Sequence, residues 1–124
     1  MKIRKIKIAI KSEDELFQEV TRTVENLEKG QAVRKHEGIS FENLEAMRKV
    51  LTEERLKMLK TIKQEHPQSI YELAKMLHRD TKNTFDDVRF LAQLGLIDLK
   101  KTKEGRERTT PTVNYEKILL EIPV

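Results

Sequence analysis

The most regular hydrophobic pattern lies in residues 69–94, where two short segments with apolar positions at helical spacing are joined by a tight turn. In the first segment these positions are Ile70, Leu73, Ala74 and Leu77. Ser69 is a suitable N-cap and Glu72 can complete a capping box, so a helix is predicted to begin here. Asp80 is predicted to cap a second helix. Its inner positions would be Thr84, Val88, Leu91 and Gly95.

The outer face of this second helix, residues 81–94, is predicted to be mostly polar. It would carry Lys82, Asn83, Asp86, Arg89 and Gln93, with Phe90 beside them. Two helices joined by so short a connection cross at a steep angle, which exposes the first turn of the second. This layout is typical of a helix-turn-helix, in which the second helix reads the major groove of DNA. A purely structural corner of two helices would share it, so the pattern alone leaves both interpretations open.

Two more helices are predicted just before this corner. Ser40 is expected to cap one that ends near Val50, and Thr52 to cap one over residues 53–65, which Pro67 terminates. The inward positions would be Leu44, Met47 and Leu51 in the first, and Leu56, Leu59 and Ile62 in the second. Consecutive helices with short connections predict a compact trihelical core, the usual support of a helix-turn-helix.

Beyond Gly95 the spacing changes to that of β-strands. Residues 96–100 and 109–115 are predicted strands, and residues 101–108 a turn centred on Gly105. Between residues 100 and 108, two glutamates accompany five basic residues: Lys100, Lys101, Lys103, Arg106 and Arg108. Alone, this would be a solvated hairpin. Directly after a recognition helix, it favours a wing that contacts phosphates or the minor groove.

Both ends of the chain predict strands. Residues 2–11 alternate isoleucine with lysine, and a helix is expected from Ser12 to a stop at Gly30. Residues 31–39 fit a linker or a second short strand. A last strand is indicated by Ile118, Leu120 and Ile122. It could pair with residues 2–11, within one chain or between two chains.

These elements predict an α+β fold: a winged helix-turn-helix, made of a trihelical core and a β-hairpin wing, with an N-terminal strand–helix extension. We predict two parts. Residues 1–38 would form the extension, which could dimerise, and residues 39–124 a DNA-binding domain with a C-terminal strand.

Composition narrows the possible functions. The formal charge is +4 with an isoelectric point near 9.3, which permits a polyanion partner. Hydrophobic residues make up only 37% of the chain, so a monomer would have a thin core and a homodimer is expected. The sequence lacks cysteine, long apolar runs and a signal peptide, and we expect a soluble cytoplasmic protein without membrane contact.

Signs of catalysis are weak. The histidines are scattered, four glycines offer no phosphate-cradling loop, and the paired carboxylates lie at helix starts or on exposed helical positions. We therefore predict that the protein is not an enzyme and uses neither a metal nor a cofactor.

Short motifs run through residues 39–100: S-F-E at 40–42, L-T-E-x-R-L at 51–56, S-I-x-E-L-A at 69–74, R-D-x-K-N at 79–83, D-V at 87–88 and L-G-L-I at 94–97. With the first strand and helix and the closing P-x-V-x-Y and I-x-L-x-I, they resemble small predicted transcriptional regulators of archaea and bacteria. The winged helix-turn-helix of that family is similar to those of MarR and ArsR-type repressors. Two residues depart from the pattern: His78, where glycine is usual, and Thr84, where a larger apolar residue would pack.

The resemblance implies sequence-specific binding of double-stranded DNA by a homodimer, with Lys82 and Asn83 at the start of the recognition helix. Side-chain chemistry suggests that Lys82 reads guanine, Asn83 adenine and Asp86 cytosine. The residues predicted to contact DNA are Ser69, Tyr71, Arg79, Thr81, Lys82, Asn83, Asp86, Arg89, Lys103, Arg106 and Arg108.

Two alternatives remain open. One is a protein-interaction module, such as an antitoxin or adaptor with a partner encoded nearby, suggested by an exposed Phe90 and the isoleucine-rich end strands. The other is an RNA binder that uses the basic wing. Its weakness is that Tyr71, Phe85 and Phe90 are too few and too scattered for a base-stacking platform.

Overall fold

The computed structural model describes residues 4–11, 15, 17, 18, 21, 38–104 and 106–124. Their elements are β1 (Lys5–Ile10), β2 (Gly38–Phe41), α1 (Leu44–Val50), α2 (Glu53–Glu65), α3 (Ile70–Leu77), α4 (Thr81–Gln93), β3 (Asp98–Glu104), β4 (Arg106–Thr112) and β5 (Lys117–Glu121). The predicted α+β class is confirmed. The chain divides into two compact units, residues 1–50 with 116–124, and residues 51–115.

The first unit contains a parallel sheet in the order β2-β1-β5. In its register, Ile8 lies between Ile39 of β2 and Leu120 of β5, and Ile8 is buried. The two terminal strands therefore pair within one chain, which answers the question that the sequence left open. Most of the helix predicted between residues 12 and 30, and residues 31–37, lie outside the described residues.

The start of α1 differs from the prediction. Ser40 does not cap this helix, because it lies in β2 and pairs with Ala9 of β1. Asn43 is the cap instead, since its side-chain oxygen accepts a hydrogen bond from the backbone nitrogen of Ala46 at 2.8 Å. Nearby Gly38 is also constrained, because a Cβ atom there would lie 2.9 Å from the carbonyl oxygen of Lys7. Pairing with β1 thus delays the helix by several residues.

The second unit has a core made by α2, α3, α4 and the segment that follows α4. Its buried apolar residues are Met58, Leu59, Ile62, Ile70, Leu73, Ala74, Leu77, Val88, Leu91, Leu96, Ile97 and Tyr115. The inner faces predicted for α3 and α4 are confirmed up to Leu91. The prediction for α2 was wrong at Leu56, which is 37% exposed, because the helix directs Met58 into the core instead.

Three helix starts were predicted correctly. The side chains of Thr52, Ser69 and Asp80 accept hydrogen bonds from the backbone nitrogens of Arg55, Glu72 and Asn83, at 3.2, 3.1 and 3.0 Å. The capping box at α3 is altered, because the Glu72 carboxylate accepts from the backbone nitrogen of Gln68, at 3.3 Å, rather than from Ser69.

Gly95 lies beyond the end of α4 and not on its inner face. Its φ of 85° is left-handed, and its nitrogen donates to the Ala92 carbonyl at 3.0 Å. The nitrogen of Leu96 donates to the Leu91 carbonyl at 2.9 Å, which completes a Schellman ending. This reversal returns the chain toward the helix, so that Leu96 and Ile97 enter the core.

Strands β3 and β4 form an antiparallel hairpin that is longer than predicted. Pairing runs from Asp98 with Thr112 to Glu104 with Arg106, so most of the expected turn at residues 101–108 is strand. Gly105 itself lies outside the described residues. The hydroxyl of Thr110 donates to the carbonyl of Gln68 at 2.7 Å, which ties β4 to the start of α3.

Tyr115 links the segment after β4 to Leu96, which lies just beyond the end of α4. The side chain is buried, and its hydroxyl donates to the carbonyl oxygen of Leu96 at 2.9 Å. Burial, followed by the nearby negative charge of Asp98, raises the pKa of Tyr115 to about 12. The folded protein therefore retains this proton at pH values where an unfolded chain releases it.

The substitution Tyr115→Phe should lower the free energy of unfolding by about 1 kcal/mol at pH 7, because the Leu96 carbonyl loses its partner. Between pH 10 and 12 the unfolded wild-type chain ionises first, so wild-type stability falls and its advantage over the variant shrinks. Urea unfolding of both proteins at neutral pH and near pH 11 measures this. A difference independent of pH would contradict the assignment.

Candidate nucleic-acid interface

The turn between α3 and α4 depends on a left-handed histidine. His78 has a φ of 54°, and its nitrogen donates to the Lys75 carbonyl at 3.2 Å. The next nitrogen, of Arg79, donates to the Ala74 carbonyl at 3.0 Å. This is a second Schellman ending, at a position where glycine would be unstrained. The side chain of histidine costs about 1–2 kcal/mol there, and the turn nonetheless remains short enough for α4 to begin at Thr81.

Beneath the turn, Asp87 of α4 lies between two arginines. One oxygen of its carboxylate contacts the Nε and Nη2 atoms of Arg55 at 3.4 and 3.3 Å, and the other contacts Nη2 of Arg79 at 3.0 Å. The side chains of Asp87 and Arg79 are only 19% and 24% exposed. The three residues come from α4, from the first turn of α2 and from the turn before α4. These three residues, which we call the Asp87 cluster, therefore join α4 to α2 and to the turn.

Arg79 was predicted to contact DNA, and the structure places it in this cluster. Nη2 also lies 3.9 Å from a carboxylate oxygen of Glu54, and Nη1 is buried. The guanidinium thus contacts acidic groups of both α2 and α4.

Phe90 contacts the same cluster through Arg55. The guanidinium of Arg55 lies over its ring, with Cζ 4.6 Å from the ring centroid. The prediction of an exposed Phe90 was wrong, because the half-buried ring is covered by an arginine that lies 35 positions earlier in the chain. Phe90 therefore no longer supports the protein-interaction module.

Thr84 is a small polar residue at a core position, where its hydroxyl has a hydrogen-bond partner. It is completely buried, and its hydroxyl donates to the Asp80 carbonyl at 2.8 Å. A buried hydroxyl is costly only when it lacks a partner. The departure from the expected pattern is thus accommodated within the first turn of α4.

The outer face of α4 is open to solvent. We define it by its exposed side chains: Thr81, Lys82, Asn83, Phe85, Asp86 and Arg89. Five of these were predicted as contact residues. Phe85 was missed, although it follows Lys82 by three positions and precedes Arg89 by four, which places it on the same helical face. Its ring is 44% exposed, the largest apolar group on this surface.

The remaining predicted residues lie on α3 and the hairpin. Ser69 is half-buried and its oxygen is already engaged in capping α3. Tyr71 is 57% exposed, with the ammonium of Lys75 lying 4.7 Å from its ring centroid. Arg108 is exposed on β4. The backbones of Lys103 and Arg106 lie near the hairpin tip, and their side chains fall outside the described part of the structure.

A model of the HVO_A0114 family matches residues 50–120, which is more than half of the 124 residues. The chain belongs to the HVO_A0114 family. The matched HVO_A0114 segment includes α2, α3, α4 and the whole hairpin, so it contains both the Asp87 cluster and the outer face of α4. No curated protein and no solved structure matches the chain.

Two further kinds of site were sought in the part of the chain that the structure describes. Among the described residues, no group of three or more His, Asp or Glu side chains is arranged to hold a metal ion. No helix in the described ranges is both long and apolar enough to cross a membrane. The outer face of α4 carries exposed donors and acceptors on a helix whose inner face is buried.

The contribution of the Asp87 cluster to stability can be tested by comparing substitutions at Asp87 and at its sequence neighbour Asp86. Asp87→Asn should lower the free energy of unfolding by about 2 kcal/mol, because two partly buried guanidinium groups lose their counter-ion. Asp86→Asn is the matched control, since that side chain is exposed on the outer face and should change stability little. Urea denaturation monitored by circular dichroism compares the two. Equal effects would show that the cluster does not hold α4.

Proposed function

We propose that this HVO_A0114-family protein is a sequence-specific DNA-binding transcriptional regulator that acts as a homodimer in the cytoplasm. In this proposal residues 51–115 are a winged helix-turn-helix similar to those of MarR and ArsR-type repressors. Helix α4 enters the major groove, and the β3–β4 hairpin lies on the backbone or in the minor groove. The observation that supports it best is the outer face of α4, which is polar, exposed and held on a buried support.

A recognition helix needs a rigid base and a free leading turn. The inner face of α4 is buried through Thr84, Val88 and Leu91, and Asp87 fixes the helix from the side. Thr81, Lys82 and Asn83, in contrast, are exposed in its first turn. An α-helix fits the width of the major groove, where each base pair presents a distinct set of donors and acceptors. These residues are thus free to reach base edges.

The outer face offers a contact for each type of base. Lys82 can donate to the O6 and N7 atoms of guanine, and Asn83 can make paired hydrogen bonds with adenine. Asp86 can accept from the N4 amine of cytosine. Phe85, exposed among these groups, suits the C5-methyl group of thymine, which a phenyl ring can contact. With Arg89 the face carries two cations and one anion, so we expect modest affinity that falls steeply with salt.

Phosphate contacts would set the register of the protein on DNA. Tyr71 of α3 and Thr81 of the outer face have exposed side chains, and Arg108 is exposed on the hairpin. Ser69, Lys103 and Arg106 complete the proposed set. Arg79 acts in this scheme by holding the turn, since its guanidinium is engaged by Asp87.

Removing both cations of the outer face tests the proposal. Lys82→Ala with Arg89→Ala should weaken binding to a selected duplex by about thirtyfold or more, since each of two good base contacts contributes about 1–3 kcal/mol of discrimination. Lys60→Ala is the control, because it removes a charge from an exposed site on α2. A gel shift on the region upstream of the protein's own operon, or on duplexes selected from a random pool, provides the measurement.

The proposal fails if the wild-type protein shows no duplex binding at 50 mM salt, or if the double variant binds as tightly as Lys60→Ala. Competition by single-stranded RNA as effective as that by the duplex would favour RNA binding instead. A stably co-purifying protein combined with no duplex affinity would favour the interaction module.

The role of Phe85 has its own test. Replacing single thymines of the selected duplex by deoxyuridine removes only the C5-methyl group. At one position this should weaken wild-type binding severalfold, whereas Phe85→Ala should bind both duplexes equally. Phe85→Leu, which retains an apolar side chain, should keep part of the preference. If deoxyuridine is tolerated at every position, Phe85 does not read thymine, although DNA binding itself would stand.

A further inference from the structure

Strand β5 exposes apolar side chains on both faces of the sheet. Successive residues of a strand point to opposite sides, and yet Leu119 and Leu120 are 44% and 47% exposed. Ile122, just beyond the strand, is 50% exposed. In the described part of the chain β5 is an outer strand, with β1 on its one assigned side. Parallel sheets usually have both faces covered by other parts of the protein. We therefore expect the exposed apolar side chains of this outer strand to contact a partner.

The sequence of β5, Lys117-Ile118-Leu119-Leu120-Glu121, is self-complementary when it is paired with an antiparallel copy. A two-fold axis through Leu119 places Lys117 opposite Glu121 of the second copy, and does so twice. Ile118 then faces Leu120 of that copy, and Leu119 faces its own equivalent. Opposite charges and apolar pairs directly across two strands are the contacts that stabilise a sheet.

The register with the axis through Leu119 pairs more residues of β5 than the two registers with the axis one residue away. Side chains opposite one another must lie on the same face, so the axis has to pass through a residue. An axis through Ile118 places Lys117 opposite Leu119 and leaves Glu121 beyond the paired region. An axis through Leu120 places Glu121 opposite Leu119 and brings Lys117 to Pro123, which has no backbone N–H to donate. The Leu119 axis alone uses all five residues of β5.

We propose that two copies of this chain pair through β5 as antiparallel strands, with Leu119 on the two-fold axis, to form one continuous six-stranded sheet from two sheets of three. The opposite outer strand, β2, is a weaker candidate because it has four residues and starts at Gly38. The inference deepens the proposed function, on which it rests only for the expectation of a homodimer.

The pairing also accommodates the ion pair already present in each chain. The Lys7 ammonium lies 2.5 Å from a carboxylate oxygen of Glu121, and both side chains are more than half exposed. Because a carboxylate has two oxygens, Glu121 can accept from Lys7 of its own chain and from Lys117 of the second copy. An isologous interface of this kind closes on itself, so it predicts dimers and not filaments.

Light scattering coupled to size-exclusion chromatography tests the interface without DNA. The wild-type chain should have the mass of a dimer at micromolar concentration. Leu119→Lys places two like charges on the axis and should raise the dissociation constant by roughly tenfold or more. Leu99→Lys is the control, because Leu99 is comparably exposed, at 40%, on β3 of the other unit and its replacement should leave the dimer intact.

Charge reversal makes the test specific for the register. Lys117→Glu and Glu121→Lys should each weaken self-association, because each variant opposes like charges. An equimolar mixture of the two should form a heterodimer, since every Glu then faces a Lys. Circular dichroism confirms that each variant is folded; if Glu121→Lys is not, Lys117→Glu and Leu119→Lys still decide the result.

A wild-type monomer up to about a hundred micromolar would overturn the inference, and so would a dimer unaffected by Leu119→Lys. Because the readout is mass, the outcome is separate from that of the proposed function. A dimer that depends on β5 but binds no duplex would leave this interface standing and refute the regulator. A monomer that binds duplex specifically would do the reverse.

Discussion

The contacts of Asp87 with Arg55 and Arg79 join α4 to α2 and to the turn before it, and the proposed interface uses the face of α4 that they leave exposed. The inner face of α4 is buried through Thr84, Val88 and Leu91, but the hydrophobic effect that favours this burial is non-directional. Ion pairs are directional. Arg55 of α2 and Arg79 of the turn before α4 each contact a different oxygen of the Asp87 carboxylate. Partly buried ion pairs often add little stability, because desolvation offsets their attraction. We propose that these ion pairs orient the helix. Because Asp87 faces the protein, the exposed side chains of α4 face solvent.

Local features of the chain were predictable because their causes are local. Thr52, Ser69 and Asp80 cap helices through atoms three residues away, so the sequence contains both partners. The outer face of α4 follows in the same way from helical periodicity. The positive φ at His78 could be suspected because glycine is usual there, and the structure confirms that the position is left-handed. Phe85 was within reach of the same reasoning but was considered only as a stacking residue.

Features that depend on distant contacts could not be predicted from the sequence. Arg79 has the chemistry of a phosphate contact, and nothing near it in sequence shows that Asp87 and Glu54 engage it. Phe90 has the spacing of an exposed residue until Arg55, from another helix, lies over its ring. Ser40 has the composition of a cap, but pairing with β1 draws it into a strand. In each case a group 8 or more positions away decides between two locally reasonable states.

In the proposed regulator, the two units would divide the requirements of a DNA-binding dimer between them. Residues 51–115 contain a helix with a fixed, exposed polar face, and the sheet of the other unit contains a strand that complements its own copy. A single recognition helix reads few base pairs, whereas two related by a two-fold axis read a palindrome and gain affinity from simultaneous contact. In the proposed regulator, a mutation in β5 should therefore lower the cooperativity of binding by the two copies, while a mutation in α4 should change the preferred bases. This separation distinguishes the scheme from one in which a single surface performs both tasks.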